Sequence, residues 1–597
     1  MNHRILCFAV LICFAAAPGL VRAATPLEVI VERDIPVKMR DGVVLRADIY
    51  RPKPGGRFPV LLQRTPYGKN GKSDFEVDFG YRAAANGYVV VIQDVRGRYT
   101  SDGEWYPFKH ESEDGYDTVE WAASLPYANG KVGMFGGSYV GATQTLAAIA
   151  HPPHLAGICP VITASNYHDG WTYQGGAFEQ WFDESWTSIL AQDTLDRLAL
   201  NDTNAMKEAW KLPVANYPVF NFQDFPATPK LTASLAPYFM DWLAHPSYDD
   251  YWKRWSIEDH YADITVPALT ITAWYDIFQG GSLRNYMGMK ARGGSETARA
   301  EQRLLITLGG HAGRDRKVGD VDFGPQAADF DENDVTLRWY DYLFKGIQNG
   351  FSKEKPVKIF VMGVNEWREE DDWPLPQSHT VKYFLHSDGH ANSLHGSGRL
   401  STSTQHSEPS DHFVYDPSNP VPTVGGPLCC DPVHLEPGAR DQRSVEARGD
   451  VLVYSTPPFA QDIEVTGPIS LELYATSSAL DTDLTAKLVD VSPDGFARNL
   501  TEGIIRARYR ASPEKPEMLT PGQVYKFAID LWSTSNVFRP GHMLRLEVSS
   551  SNFPRFDRNL NTGEDAGFAQ RHVSATNTIF HDAQHPSALL LPVIQAQ

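Results

Sequence analysis

Cysteine is scarce in this 597-residue sequence, which contains only five of them. Cys7 and Cys13 lie inside an apolar N-terminal stretch, which leaves Cys159, Cys429 and Cys430 for the remainder of the chain. Three cysteines cannot all pair within one chain, so the fold is not built on disulfides and needs a hydrophobic core. The adjacent Cys429 and Cys430 leave two interpretations open, a vicinal disulfide or two partly buried thiols.

The sequence also lacks an excess of basic residues. It has 54 Lys and Arg against 73 Asp and Glu, a formal net charge of -19. This balance argues against nucleic acid or an anionic membrane surface as the partner. No internal repeat or low-complexity tract is present, and the length predicts about two to four domains.

Long hydrophobic runs are absent apart from one at the N-terminus. Residues Ile5 to Ala17 are apolar, follow the basic Arg4 and end before Pro18-Gly19, and Val21 and Ala23 have the spacing of a cleavage site. This pattern predicts a secretory signal peptide over residues 1–23, and hence a secreted or periplasmic protein with no stable membrane insertion after cleavage. An uncleaved anchor helix is the alternative, but the run is short for a bilayer span of about 20 residues.

Three kinds of sequence pattern follow one another along the rest of the chain. Short apolar runs such as Val60–Gln63, Val89–Ile92 and Lys131–Phe135 alternate with helical spacing, which predicts a mostly parallel sheet covered by helices. An aromatic and acidic segment with helical character interrupts this pattern. From Val357 onward, short strands are separated by Gly, Pro, Asn and Asp, which is typical of a β-sandwich.

We therefore predict an α/β fold with an α/β-hydrolase core, an inserted helical cap and a C-terminal β-sandwich of jelly-roll type. The predicted bounds are 24–165 and 246–350 for the core, 166–245 for the cap and 355–597 for the jelly roll. Ile35 to Tyr50 is predicted to form a hairpin that turns at Asp41-Gly42. Asp481 and Asp483 could suggest a calcium ligand pair, but a solvated turn is the preferred interpretation.

Ser138 stands where an apolar strand meets a helix of small residues. The local sequence is Gly136-Gly137-Ser138-Tyr139-Val140-Gly141. A nucleophile on a strand-to-helix elbow needs small neighbours because the backbone and the helix approach closely. The second glycine of the motif, Gly141, comes one residue later than in the common Gly-x-Ser-x-Gly pattern, so the motif by itself is weak evidence for a nucleophile.

A catalytic serine needs a histidine to take its proton and a carboxylate to hold that histidine. In α/β hydrolases these follow in the chain order Ser, acid, His, and Asp276 and His311 each follow a predicted strand in that order. Singly, Asp276 could be a helix cap and His311 a loop histidine. Together with Ser138 they predict a catalytic triad, whereas an exported binding protein with an inactive triad is the non-enzymatic alternative.

The whole set of motifs resembles the CocE/NonD hydrolase family. The marks that carry the resemblance are Arg64-Thr65-Pro66-Tyr67, Gln93-Asp94-Val95-Arg96-Gly97-Arg98, the elbow at Ser138, Gly175-Gly176-Ala177-Phe178, Trp274-Tyr275-Asp276, Gly309-Gly310-His311 and Ser549-Ser550-Ser551-Asn552-Phe553-Pro554. The resemblance implies the three-domain plan, the triad, and an oxyanion hole formed by the Tyr67 hydroxyl and the Tyr139 amide. It also implies that the late glycine belongs to the family's own elbow.

The resemblance also bears on the substrate. It implies that Trp171 and Trp186 line an acyl pocket, to which we assign Phe178 and Phe278 as well. Family members that act on α-amino acid esters carry acidic residues after the triad aspartate, whereas Ile277-Phe278-Gln279 is uncharged here, and the cap acids Asp169, Glu179, Asp183 and Glu184 could simply be solvated. We therefore expect an esterase or amidase that acts on a small molecule without metal or organic cofactor, with an X-Pro dipeptidyl-peptidase or α-amino acid ester hydrolase as the alternatives.

Overall fold

The computed structural model describes residues 26–70, 74–199, 236–311, 316–404, 407–565, 569 and 571–594. The predicted signal peptide, 1–23, lies outside the described residues, and so do residues 200–235 of the predicted cap.

Strands and helices alternate through the first part of the chain. The strands are β1 (Val29–Lys38), β2 (Val44–Pro52), β3 (Phe58–Thr65), β4 (Val89–Asp94), β5 (Ala128–Gly137), β6 (Leu155–Val161), β7 (Tyr173–Gln174), β8 (Ala177–Phe178), β9 (Ala268–Tyr275), β10 (Gln302–Gly310), β11 (Lys317–Val318), β12 (Val321–Asp322), β13 (Val357–Val361) and β14 (Glu366–Glu370). The α-helices of the described residues are α1 (Asp74–Ala85), α2 (Glu111–Ala123), α3 (Tyr139–Ile149), α4 (Gln180–Ala199), α5 (Pro237–Ala244), α6 (Asp250–Lys253), α7 (Gln279–Arg292), α8 (Glu296–Ala300), α9 (Glu332–Lys345) and α10 (Arg443–Glu446).

Ten of these strands form the core sheet, in the order β1-β2-β4-β3-β5-β6-β9-β10-β13-β14. The strands from β4 to β13 in this order pair in parallel, and their apolar residues are buried because helices cover both faces of the sheet. The hairpin predicted at Asp41-Gly42 is confirmed, since β1 and β2 pair antiparallel up to Lys38 and Val44.

One strand lies in a different domain from the one its sequence indicated. Val357–Val361 has the short-strand pattern of the C-terminal region, yet it pairs in parallel with β10 and antiparallel with β14 in the core sheet. Its local residues suit either sheet, and only the crossover through α9 places it beside β10. The core sheet thus extends to Glu370, whereas the predicted bounds end the core at 350 and begin the jelly roll at 355.

The insertion between β6 and β9 is mainly helical in its described part and also contains the two-residue hairpin β7–β8. Its Trp and Phe side chains pack against one another and against the core, and together they form one buried aromatic cluster. The members with less than about 3% exposure are Trp171, Phe178, Trp181, Phe182, Trp186, Phe239 and Trp242.

The C-terminal domain is an antiparallel β-structure in which, among the strands of the described residues, one pair is parallel, β16 with β18. Its strands are β15 (Ser378–His386), β16 (Arg399–Ser401), β17 (Asp411–Tyr415), β18 (Leu452–Ser455), β19 (Ile463–Ser477), β20 (Asp483–Val491), β21 (Ala497–Arg506), β22 (Tyr525–Phe538), β23 (Met543–Ser549), β24 (Ala575–Phe580) and β25 (Ala588–Ile594). Buried and half-exposed residues alternate along β19, as expected for a strand with one face on a core.

These three parts confirm the predicted fold class, an α/β-hydrolase sheet with a helical insertion and a C-terminal β domain. Among the helices of the described ranges, none is both long and apolar enough to span a membrane.

Candidate active site

Ser138 lies at the junction of β5 and α3, with φ = 61° and ψ = -128°. This positive φ is a strained conformation for a side-chain-bearing residue, and it turns the hydroxyl away from the sheet at the end of the strand. Two glycines make room for the turn. A Cβ at Gly136 would lie 2.4 Å from Val140 Cγ1, and one at Gly141 would lie 2.7 Å from Thr163 Cβ. The late position of Gly141 is thus the point where α3 touches the chain leaving β6.

The three residues of the predicted triad are brought together in hydrogen-bonding order. His311 Nε2 lies 2.9 Å from Ser138 Oγ, and His311 Nδ1 lies 2.7 Å from Asp276 Oδ2. The carboxylate of Asp276 is fully buried and also accepts the Phe278 amide N–H at 2.7 Å, which fixes its orientation. Asp276 and His311 follow the adjacent parallel strands β9 and β10, so the sheet itself places them at one edge.

The side chain of Tyr139, directly after Ser138, is anchored beneath the elbow. Its hydroxyl donates to Glu111 Oε1 at 2.9 Å and accepts the Phe108 amide, and Glu111 pairs with Arg64 Nη1 at 2.6 Å. Burial, followed by the charge of Glu111, raises the pKa of Tyr139 well above its usual value, so the phenol stays protonated. Glu111 was not identified from the sequence, because an acidic residue at a helix start is ordinarily solvated.

Tyr67 is linked to the cap through Trp186. The indole Nε1 of Trp186 donates to the Tyr67 hydroxyl oxygen at 3.0 Å, and the Trp186 ring stacks on the Tyr139 ring with centroids 5.9 Å apart. An indole N–H is a donor only, so the Tyr67 oxygen accepts and its own proton is not used in this bond. The amide of Tyr139 is the first of α3 and has no acceptor within the helix.

Three of the four predicted pocket residues form an aromatic cluster that reaches the triad at His311. Trp171 stacks on Phe278 with centroids 4.4 Å apart and planes 7° from parallel, and Phe278 meets the His311 ring edge-on at 5.2 Å. Trp186 lies edge-on to Trp171 at 5.7 Å. Phe178 belongs to a neighbouring layer, because its ring contacts are with Tyr173 and Phe239.

The suggestion that the cap acids are solvated is wrong for three of the four. Glu179, Asp183 and Glu184 are each at most 2% exposed, whereas Asp169 is partly exposed. Among the described residues, neither carboxylate oxygen of Asp183 has a hydrogen-bond partner, and burial, followed by Glu179 and Glu184, raises the pKa of Asp183 well above its usual value. Burial likewise raises the pKa of Glu179 to about 7, against the lowering effect of Arg555.

The solvated turn predicted at Asp481 and Asp483 is also wrong, because both carboxylates are buried. Asp481 pairs with Arg508 Nε at 2.7 Å and Asp483 with Arg506 Nη2 at 2.9 Å. Each carboxylate is therefore paired with an arginine and not with a metal ion. The described ranges contain no cluster of His, Cys, Asp or Glu suited to a metal ion.

Of the two interpretations left open for the adjacent cysteines, the structure has the disulfide between Cys429 and Cys430. Cys159 is a buried free thiol, and burial raises its pKa to about 12.

An α/β-hydrolase sheet that presents Ser138, His311 and Asp276 in hydrogen-bonding order defines a serine hydrolase. The comparisons with known proteins agree with this class. A family model described as X-Pro dipeptidyl-peptidase (S15 family) matches residues 41–313, and one described as X-Pro dipeptidyl-peptidase C-terminal non-catalytic domain matches residues 349–590.

The relatives cover nearly the whole chain. Cocaine esterase from Rhodococcus sp. (strain MB1 Bresler) is 36% identical over 592 residues, which are 95% of this chain and 99% of that protein. Two solved structures are each 25% identical: an aminopeptidase from a marine sediment archaeon, Thaumarchaeota archaeon, with a TM-score of 0.79 over 97% of this chain and 99% of the other, and an α-amino acid ester hydrolase with a TM-score of 0.78 over 96% and 98%. The chain belongs to the CocE/NonD family of serine hydrolases, whose members act on esters or peptides.

Proposed function

We propose that the protein is a serine esterase that hydrolyses esters of aromatic or other bulky apolar carboxylic acids through a covalent acyl-enzyme. The observation that carries the proposal is the aromatic enclosure beside the nucleophile, in which Phe278 contacts the His311 ring and stacks on Trp171. A flat apolar acyl group gains both buried area and ring stacking in such a site. The similarity to cocaine esterase supports the same substrate class.

The chemistry follows from the triad. Ser138 Oγ attacks the ester carbonyl while His311 Nε2 takes its proton, and Asp276 holds the imidazole through Nδ1 and stabilises its charge. His311 then protonates the departing alcohol. Water then attacks the acyl-serine carbonyl while His311 Nε2 takes a proton from the water. His311 returns this proton to Ser138 Oγ as the acid is released. Acyl transfer by this route uses no metal or organic cofactor.

The charge that develops on the carbonyl oxygen needs donors that are already in place. We assign the Tyr139 amide and the Tyr67 hydroxyl to this role. The amide is the unpaired first N–H of α3, where the helix dipole also favours negative charge. The Tyr67 hydroxyl is held by Trp186, so the same indole supports both the acyl pocket and the oxyanion donor.

The buried state of the cap acids disfavours an amine-bearing substrate. A substrate ammonium needs an ionised carboxylate, but burial raises the pKa of Asp183 well above its usual value, and Glu179 faces Arg555. The residues after Asp276 are uncharged. We therefore favour the ester over the X-Pro dipeptide and the α-amino acid ester, although the family models carry the dipeptidyl-peptidase name.

Active-site labelling and a substrate panel test this proposal. A fluorophosphonate probe should label the wild type and not Ser138→Ala, and absence of wild-type labelling would favour the binding-protein alternative. Benzoyl and acetyl esters of one alcohol, an X-Pro p-nitroanilide and a phenylglycine ester form the panel. Preferential turnover of either amine-bearing substrate would contradict the assignment.

Trp171→Leu tests the acyl pocket more cleanly than Trp186→Ala, which would also remove the bond to Tyr67. We expect kcat/KM for the benzoyl ester to fall at least about tenfold more than that for the acetyl ester. Trp255→Leu is the matched control, because this buried tryptophan has ring contacts with Tyr106 and Tyr251 instead. Equal losses on both esters in Trp171→Leu would refute the pocket.

We also propose export through cleavage of residues 1–23. N-terminal sequencing of the protein from the periplasm or the medium should begin at Ala24. A cytosolic protein that retains its original N-terminus would contradict export.

A further inference from the structure

The N-terminal end of α4, the helix that carries Phe182 and Trp186, rests on the C-terminal domain. The Trp181 amide donates to the carbonyl oxygens of Pro554 at 3.0 Å and Arg555 at 3.3 Å. Just before the helix, the Phe178 amide donates to Asp557 Oδ1 at 2.8 Å, and the Asp557 amide donates back to the Phe178 carbonyl at 3.0 Å. The first amides of a helix have no acceptor within it, and here another domain supplies one.

The side chain of Arg555 reinforces this contact. It is fully buried, and its guanidinium pairs with Glu502 of its own domain and with Glu179, the residue before α4, at 3.4 Å. Arg555 Nη2 also donates to Gln174 Oε1 at 2.9 Å. A buried planar cation with partners on two domains is costly to move, because displacing it leaves charges uncompensated.

Trp186 on α4 and Phe278 before α7 are the two aromatic walls of the proposed acyl pocket. The second of them, Phe278, is held by the same region of the C-terminal domain. Gln279 begins α7, directly after Phe278, and exchanges two hydrogen bonds with the backbone of Ser533, at 2.7 and 3.1 Å. The next residue, Gly280, packs so tightly on the C-terminal domain that a Cβ there would lie 2.8 Å from the Trp532 ring. The Arg555 guanidinium lies 5.8 Å from that ring, so the contacts to α4 and α7 are adjoining.

We infer that this surface of the C-terminal domain, formed by Trp532, Ser533, Pro554, Arg555 and Asp557, sets the spacing between the two aromatic walls of the acyl pocket, with Arg555 as its principal positioning residue. The inference rests on the proposed esterase function. It gives a specific role to a domain whose family description is non-catalytic.

The physical reason is that the two walls belong to different parts of the chain. Phe278 follows a core strand, whereas Trp186 lies on the inserted helix α4. The core holds the later part of α4, through the Trp186 bond to Tyr67 and through Arg98 Nη1, which donates to the Leu190 carbonyl at 2.9 Å. The first turn of α4 is held by the C-terminal domain instead. The hydrogen bonds and ion pairs of the C-terminal surface are directional, so they fix the start of α4 relative to the start of α7. Loosening them should affect a large flat acyl group, which would contact both walls, more than a small one.

The test compares Arg555→Met and Arg555→Lys with a matched control, Arg545→Met. Arg545 is also buried in an ion pair, with Glu446 at 2.7 Å, but its partners lie within the C-terminal domain. For each variant we would measure kcat/KM for benzoyl and acetyl esters, together with hydrogen exchange of peptides covering residues 178–190. Arg555→Lys keeps the charge and serves if Arg555→Met does not fold.

The expected result is a benzoyl-to-acetyl ratio lowered about tenfold in Arg555→Met, with faster exchange at the start of α4, and no change in either quantity in Arg545→Met. Arg555→Lys should fall in between, because it keeps the charge and loses the fork of donors. A folded Arg555→Met or Arg555→Lys protein with the wild-type ratio and exchange would overturn the inference. Failure of the wild type to hydrolyse either ester would instead refute the proposed function, and the exchange measurement would still decide the positioning role.

Discussion

Replacing Gly141 by Ala should disable the nucleophile elbow. The added methyl group would lie 2.7 Å from Thr163 Cβ and 2.9 Å from Thr163 Cγ2. Carbon atoms that are not bonded rest at about 3.5–4.0 Å, so α3 and the chain after β6 must separate by roughly 1 Å. Ser138 is the residue that precedes α3, so this displacement is transmitted to its hydroxyl.

Two effects oppose each other in this substitution. Alanine is a better helix former than glycine by about 1 kcal/mol, and residue 141 lies in the first turn of α3. The steric effect should dominate, because overpacking a close contact costs about 1–3 kcal/mol and a displacement of 1 Å in a catalytic group costs about a hundredfold in rate. We therefore expect kcat/KM to fall about a hundredfold with a small loss of stability.

The assay is ester turnover with fluorophosphonate labelling and thermal unfolding of the same preparations. Gly137→Ala is the matched control, since its Cβ would have a nearest contact of 3.3 Å, to Ile162 Cγ1, so the overlap is much smaller. Adding Thr163→Gly to Gly141→Ala should restore much of the activity, because it removes the obstructing Cβ together with a hydroxyl that makes no hydrogen bond. Full activity and raised stability in Gly141→Ala alone would refute this account of the elbow.

Two further predictions concern single side chains. Tyr67→Phe should lower kcat about a hundredfold or more by removing an oxyanion donor, and should cost about 1–3 kcal/mol of stability because the buried Trp186 N–H loses its acceptor; unchanged kcat would exclude Tyr67 from the oxyanion hole. Asp183 has a folded-state pKa raised by burial above its ordinary 3.8, so the stability linked to its proton is fully present below that value and is lost as the pH rises toward the folded pKa. Asp183→Asn removes this dependence and should therefore gain on the wild type as the pH rises above 3.8, by at least about 1 kcal/mol. Denaturant unfolding across this range measures the difference, and parallel pH profiles would contradict it.

Several features of the site were readable in the sequence because they are local. The turn at Ser138 requires small residues on both sides, and the order of Asp276 and His311 follows from strands that end at one sheet edge. Aromatic residues in the cap led to the prediction of an apolar pocket, which stays a prediction. Among the residues assigned to it, Trp171 stacks on Phe278, whereas Phe178 has ring contacts with Tyr173 and Phe239.

Other features depend on residues far apart in the chain. Glu111 supports Tyr139 only because α2 and α3 pack together, and Arg555 meets Glu179 across 376 positions. The burial of Asp183 and of Asp481 and Asp483 was mispredicted for the same reason. An acidic residue looks alike in sequence whether water or an arginine from another element surrounds it.

The sequence by itself thus determined the fold class, the elbow and the order of the triad residues, since these depend on backbone periodicity and on the space that glycine provides. Only the tertiary structure decided why Gly141 stands one residue late, where it meets Thr163, and that the C-terminal domain contacts the start of both α4 and α7. Those outcomes depend on contacts between elements that are distant in the chain, which no local pattern encodes.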